Sequence, residues 1–338
     1  MAVVASAFVT LHSARQVAAN PALTPLIERS LDEIIAATDR LMARNATEAH
    51  LSQLIATRLA ESPRNWVALQ ALHDEATARG FATPADYDAA RQADSGVVAA
   101  TGDCLSCIWD IATCSLSTAL ICKAPILLTP IEDLRGLAQA GADYASGTPI
   151  DQLDLGLSVI GLGATAAIVA TGGTSATLKA GTATLRLARG MGRMSPRLAR
   201  QLGTAFADGI RWSDLPGVRS GDDLSRLIRV DVLRPVAATL SDLGRVAGAA
   251  GPVHALHLLP LVDDAADARH LANAAEALGP RTVRQAEVLG KTRLLRATLR
   301  ISNLGMTLIL GLSGLMLSVA ALLGSLAQSW LLRALRRI

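Results

Sequence analysis

Two groups of residues have types and spacings that could do chemistry. The first is Cys104, Cys107, Cys114 and Cys122, all the cysteines of the chain, gathered within 19 of its 338 residues. An even set of close thiols predicts disulfides in an exported domain, with three possible pairings. Cys104-x-x-Cys107 also has the spacing of a redox-active pair, whose thiol pKa a helix N-terminus lowers. No βαβ pattern surrounds it. Zinc held by four thiols comes as two separated CxxC pairs, and one is present. On one unbroken helix the four cysteines share an arc of about 80°. Cys107 and Cys114 would then stand about 10 Å apart along the axis, beyond disulfide reach. Bonds beyond Cys104–Cys107 therefore require a broken helix or a folded-back hairpin.

The second group is His254, His257, Asp263, Asp264, Asp267 and His270. His254/His257 and Asp267/His270 are i,i+3 pairs, which can set two metal ligands on one helix face. Pro260 separates the pairs, so a solvated face beside a turn is the leading reading and no metal is expected. No GxSxG, HExxH or GxxxxGK[ST] run is present, and no catalytic residue or cofactor is implied. Gly156, Gly161 and Gly163 read as helix-packing positions, as do Gly311 and Gly314. Arginines follow the first apolar run without interleaved aromatics, which argues against nucleic acid and for anionic lipid. Lys179, Arg186, Arg189 and Arg193, with Lys291, Arg293, Arg296 and Arg300, are expected to form a lipid-facing basic flank.

The elements that position these residues are helical. Leu26/Ile27, Leu31, Ile34/Ile35, Thr38 and Leu41/Met42 recur at three- and four-residue spacing, with charged residues on the other faces. Thr24-Pro25, Thr83-Pro84, Thr129-Pro130, Thr148-Pro149 and Ser195-Pro196 each read as a hydroxyl N-cap followed by proline at N1. Ser62-Pro63 is a weaker sixth example. Asp86, Glu132 and Asp151 fall at N3 in this scheme. Alternating β-branched runs are absent, so the expected class is all-α.

Residues 155–178 and 301–332 contain no ionisable side chain. Residues 304–326 are long and apolar enough to cross about 30 Å of hydrocarbon, whereas 155–178, rich in Thr, Ser and Gly, form a marginal span or a hairpin. Residues 1–154 carry 10 Lys/Arg against 18 Asp/Glu, a net −8, and the remainder a net +11. Together these features predict a multi-helix membrane-anchored protein. Residues 1–20 would be a signal or anchor, and 21–154 an acidic exported domain, with 83–102 as a polar linker. Residues 155–178 would be a marginal transmembrane segment, 179–300 a basic helical region, 301–332 a transmembrane helix and 333–338 a basic tail. The rival topology buries 155–178 in a soluble helical domain and keeps one C-terminal span.

The expected function is a non-enzymatic scaffold or interaction module of the bacterial inner membrane. Its N-terminal domain would lie in the periplasm, and its partners would be the bilayer and a protein or a second copy. A membrane-active pore-former and a thiol-disulfide oxidoreductase are the alternatives.

Overall fold

The computed structural model describes residues 29–95, 107, 114, 116, 131–171, 176–212, 214 and 228–299. Among these the chain is predominantly helical and forms no strand; Ile210 and Ile228 meet in an isolated antiparallel bridge. The chain falls into two units. One is Leu31–Ala297; the other joins Met1–Ser30 to Thr298–Ile338. Of the second unit only residues 29–30 and 298–299 are described, and there the Arg29 N–H donates to the Thr298 carbonyl at 3.0 Å.

The first unit opens with four short helices: α1 (Leu31–Asn45), α2 (Glu48–Leu59), α3 (Trp66–Ala78) and α4 (Asp86–Asp94). After the cysteine region come α5 (Ile131–Ser146), α6 (Gln152–Thr171), α7 (Ala176–Gly190) and α8 (Pro196–Gly209). The last four are α9 (Val230–Ala250), α10 (Pro252–Leu258), α11 (Ala265–Leu278) and α12 (Arg281–Ala297). Of the periodic residues, Ile34, Thr38 and Met42 lie on the buried face of α1, joined there by Ala37, whereas Leu31 at the first turn is exposed.

The start signals divide. Ser195 caps α8 as expected, accepting from the Leu198 N–H at 3.2 Å, with Pro196 in the first turn. The cap of α6 is Asp151 rather than Thr148: its carboxylate accepts from Leu153 and Asp154, both at 3.1 Å. Aspartate outranks threonine as an N-cap, and it moves the start three residues on. Thr83-Pro84 caps nothing; α4 begins at Asp86 without a side-chain cap. Ser62-Pro63 is a cis peptide ahead of α3, whose cap is Asn65. Residues 24–25 and 129–130 lie outside the described residues.

Helix α9 is central, packing against α7, α8, α10, α11 and α12. Its contact with α7 is backbone on backbone. A Cβ at Gly181 would overlap the Leu240 carbonyl oxygen, and one at Gly244 that of Thr177. One continuous core draws on Val67 of α3, Leu157 of α6, Leu185 of α7, Leu240 of α9, Leu271 of α11 and Leu294 of α12. A second packs Met42, Leu51, Ile55, Leu72 and Tyr87 on Val288 and Leu289 of α12.

This packing bears on three readings of the sequence. In their described parts residues 21–154 and 179–300 contribute to the same two cores within Leu31–Ala297. Residues 155–178 are shared between α6 and α7, and Leu155, Leu157, Val159 and Ile160 of α6 are buried against protein. Part of the polar linker is α4, whose Tyr87 is buried, stacked on His73 at 4.4 Å and edge-on to Trp66. Among the described residues no helix is long and apolar enough to cross a membrane. Residues 301–332, including Gly311 and Gly314, lie outside them, as do residues 1–20 and 333–338.

Candidate functional site

The most developed polar arrangement begins at the cap of α3. Asn65 Oδ1 accepts from the Ala68 N–H at 3.2 Å, which turns its Nδ2 toward His257 Nδ1, 3.1 Å away. An amide nitrogen only donates, so Nδ1 of this buried imidazole accepts and the ring proton sits on Nε2. That proton is donated to Glu287 Oε1 at 2.8 Å. The Glu287 carboxylate also takes two bonds from Arg58, from Nε and from Nη2, each 2.9 Å. Arg58 Nη1 closes the chain on Glu61 at 2.6 Å. Burial acts to raise the Glu287 pKa, but the His257 and Arg58 partners outweigh it and hold the carboxylate below the usual range. Both ring nitrogens and both carboxylate oxygens are thus engaged. The chain ties α2, α3, α10 and α12 together.

Beside it opens a cleft of about 650 Å³, within the size range of small-molecule sites. Leu54, Pro63, Leu261 and Ala286 give it apolar walls, and Arg58, Glu61, Glu287 and Arg193 supply charge. Helix α12 breaks at Gly290 on its rim, where φ is +72°, a value that favours glycine. Arg193 is half-buried; its backbone N–H donates to the Ala188 carbonyl at 2.7 Å, and among the described residues its guanidinium has no hydrogen bond or ion pair. Burial lowers its pKa, with Glu61 opposing and Arg58 reinforcing that shift.

The histidine–aspartate group is dispersed. His254 Nδ1 lies 2.5 Å from the Ala250 carbonyl, and Asp264 caps α11. Asp263 and Asp267 both pair with Lys291, whose ammonium burial destabilises and these carboxylates restabilise, for a raised pKa. His270 has partners of its own. No group of three His, Cys, Asp or Glu able to hold a metal occurs among the described residues.

Cys107 and Cys114 form a disulfide, with Cα atoms 4.6 Å apart. That separation is less than half the rise of about 10 Å that one unbroken helix would put between them, so the unbroken-helix geometry that excluded this pair does not apply. Cys107 is joined to Cys114 rather than to Cys104, and both are buried, packed on Met191. Cys104 and Cys122 lie outside the described residues.

The basic flank is also redistributed. Lys179 and Arg186 are not lipid-facing: they point inward from α7, and both pair with Asp133 of α5, which is wholly buried. Arg186 also reaches Ser158 at 3.1 Å. Arg189 pairs with Asp151, Arg293 donates to Asn45 at 2.8 Å, Arg296 is exposed, and Arg300 lies outside the described residues. Of the packing glycines, a Cβ at Gly156 would strike the Phe206 ring and one at Gly161 the Asp133 carboxylate, whereas Gly163 faces open space.

Sequence reasoning missed Asn65, Arg58, Glu287 and Asp133. Asn65 before the apolar start of α3 was a readable cap. No local signal joins Arg58 to Glu287, 229 positions away. Compared with known protein families, with characterised proteins and with solved structures, the chain matches none.

Proposed function

We propose that this protein is a membrane-anchored, non-enzymatic interaction module of the bacterial envelope. Its helical body, Leu31–Ala297, lies on the oxidising side of the inner membrane; residues 304–326 cross it, and Arg333, Arg336 and Arg337 remain inside. The observation that carries this reading is that Leu31–Ala297 is one unit with residues of 155–178 in its core, which leaves 301–332 as the apolar run for lipid. The Cys107–Cys114 bond favours an oxidising compartment. Basic residues flank the run on both sides, Lys291, Arg293, Arg296 and Arg300 before it and Arg333, Arg336 and Arg337 after it, so the orientation rests on the disulfide and not on flank charge. A non-enzymatic role fits the mutual saturation of His257 and Glu287.

Reporter fusions after residues 140, 210 and 338 test the topology. The first two are expected to be active outside and the third inside. Cytoplasmic activity at 140 or 210, or release of the protein by carbonate washing, would overturn it. A membrane-active reading keeps one supporting observation, the apolar α6, tied to α7 through Arg186 on Ser158 and Asp154 while Arg186 and Lys179 also hold Asp133 of α5. Dye release from anionic liposomes separates the two.

A further inference from the structure

We infer that the cleft beside His257 is a binding site for a small monocarboxylate with an apolar body, and that Arg193 is the residue that takes the carboxylate. The other charged groups on its walls are matched to one another: Arg58 is shared by Glu61 and Glu287, and Glu287 is completed by His257. Arg193 is the exception among the described residues, a guanidinium with five donors and no acceptor, half-buried in a cleft of about 650 Å³. A half-buried guanidinium with no protein acceptor keeps its donors open to a ligand, and a planar carboxylate meets its fork with two parallel bonds. Glu61 and Glu287 stand on the same walls, so a second negative charge on the ligand is repelled; this favours a carboxylate over a phosphate dianion. Leu54, Pro63 and Leu261 offer the remainder of the ligand an apolar surface. The site lies wholly within Leu31–Ala297 and is independent of how the chain meets the membrane.

Calorimetry on the full chain in nanodiscs tests this with three probes: 4-phenylbutyrate, its neutral amide and inorganic phosphate. The acid is expected to bind one-to-one and at least tenfold more tightly than the amide or phosphate, the range of one charged hydrogen-bond pair. Arg193→Gln is expected to remove that tenfold advantage, and Leu54→Trp, which fills the cleft, to weaken acid and amide alike. Equal binding of acid and amide, phosphate binding as tight as the acid, or undiminished acid binding by a folded Arg193→Gln would each overturn the assignment. So would the absence of saturable binding. If Arg193→Gln fails to fold, the acid-to-amide ratio on the native chain decides.

Discussion

At the scale of single residues, the chain Asn65–His257–Glu287–Arg58–Glu61 turns a helix cap into a long-range clamp. Its order follows from one fact: an amide oxygen committed to the Ala68 N–H leaves only a donor to face His257. Replacing Glu287 by Gln removes one of the two carboxylates that hold the part-buried Arg58, leaving Glu61, and is expected to cost about 1.5–3 kcal/mol at pH 7. The sign with pH is defined. The folded pKa of Glu287 lies below its unfolded value, which is about 4.3. Its stabilisation is therefore complete above that pH and lost as pH falls through the folded value. Urea unfolding of both proteins between pH 7 and 3 should show the gap narrowing on the acid side; a gap constant with pH would sink this account.

At the scale of elements, glycine decides where helices touch. Gly181 and Gly244 let α7 and α9 meet backbone to backbone, and the atoms they meet are carbonyl oxygens, which cannot rotate away as a side chain could. Gly181→Ala is expected to cost about 3 kcal/mol or more, the upper range of overpacking. Gly163→Ala, on the open side of α6, should be neutral or stabilise by about 0.5–1 kcal/mol through helix propensity. Thermal melts of the two variants check the contrast, and equal shifts would refute it. The Thr-Pro starts show the limit of local reading: where Asp151 competes with Thr148, the stronger acceptor takes the cap.

At the scale of the whole molecule, the opposed charges of the two halves find a cause in folding. Glu75 pairs with Arg284, Asp133 with Lys179 and Arg186, Asp151 with Arg189, and Asp154 with Arg186. In each of these pairs the acid comes from residues 1–154 and the base from the remainder; Arg58–Glu287 runs the other way. The charge asymmetry thus fits two segments that fold onto each other at least as well as two segments kept in different compartments. The disulfide adds a local staple, joining cysteines seven positions apart. Closing so short a loop stabilises by about 2.5 kcal/mol on chain entropy. Cys107→Ser is expected to lower stability by that amount, and the same variant under reductant should lose less than the native chain does. A native chain whose melt is unmoved by reductant would contradict the staple.

Composition and period alone determined the helical class, the Ser195 cap and, Leu31 apart, the buried face of α1, because each depends on residues within one or two turns. Apolar content alone also marked 155–178 as unable to rest in water, and it could not say what would cover it. Lipid and a protein core present the same low-polarity surroundings to Leu155, Leu157 and Ile160. Only the tertiary structure chose the core, by supplying α5, α7 and α8 around α6. It likewise decided that Lys179 and Arg186 turn inward to Asp133, while the Arg193 guanidinium meets no acceptor among the described residues. The partner of a charge is set by packing across long sequence distances, and no spacing along the chain records it.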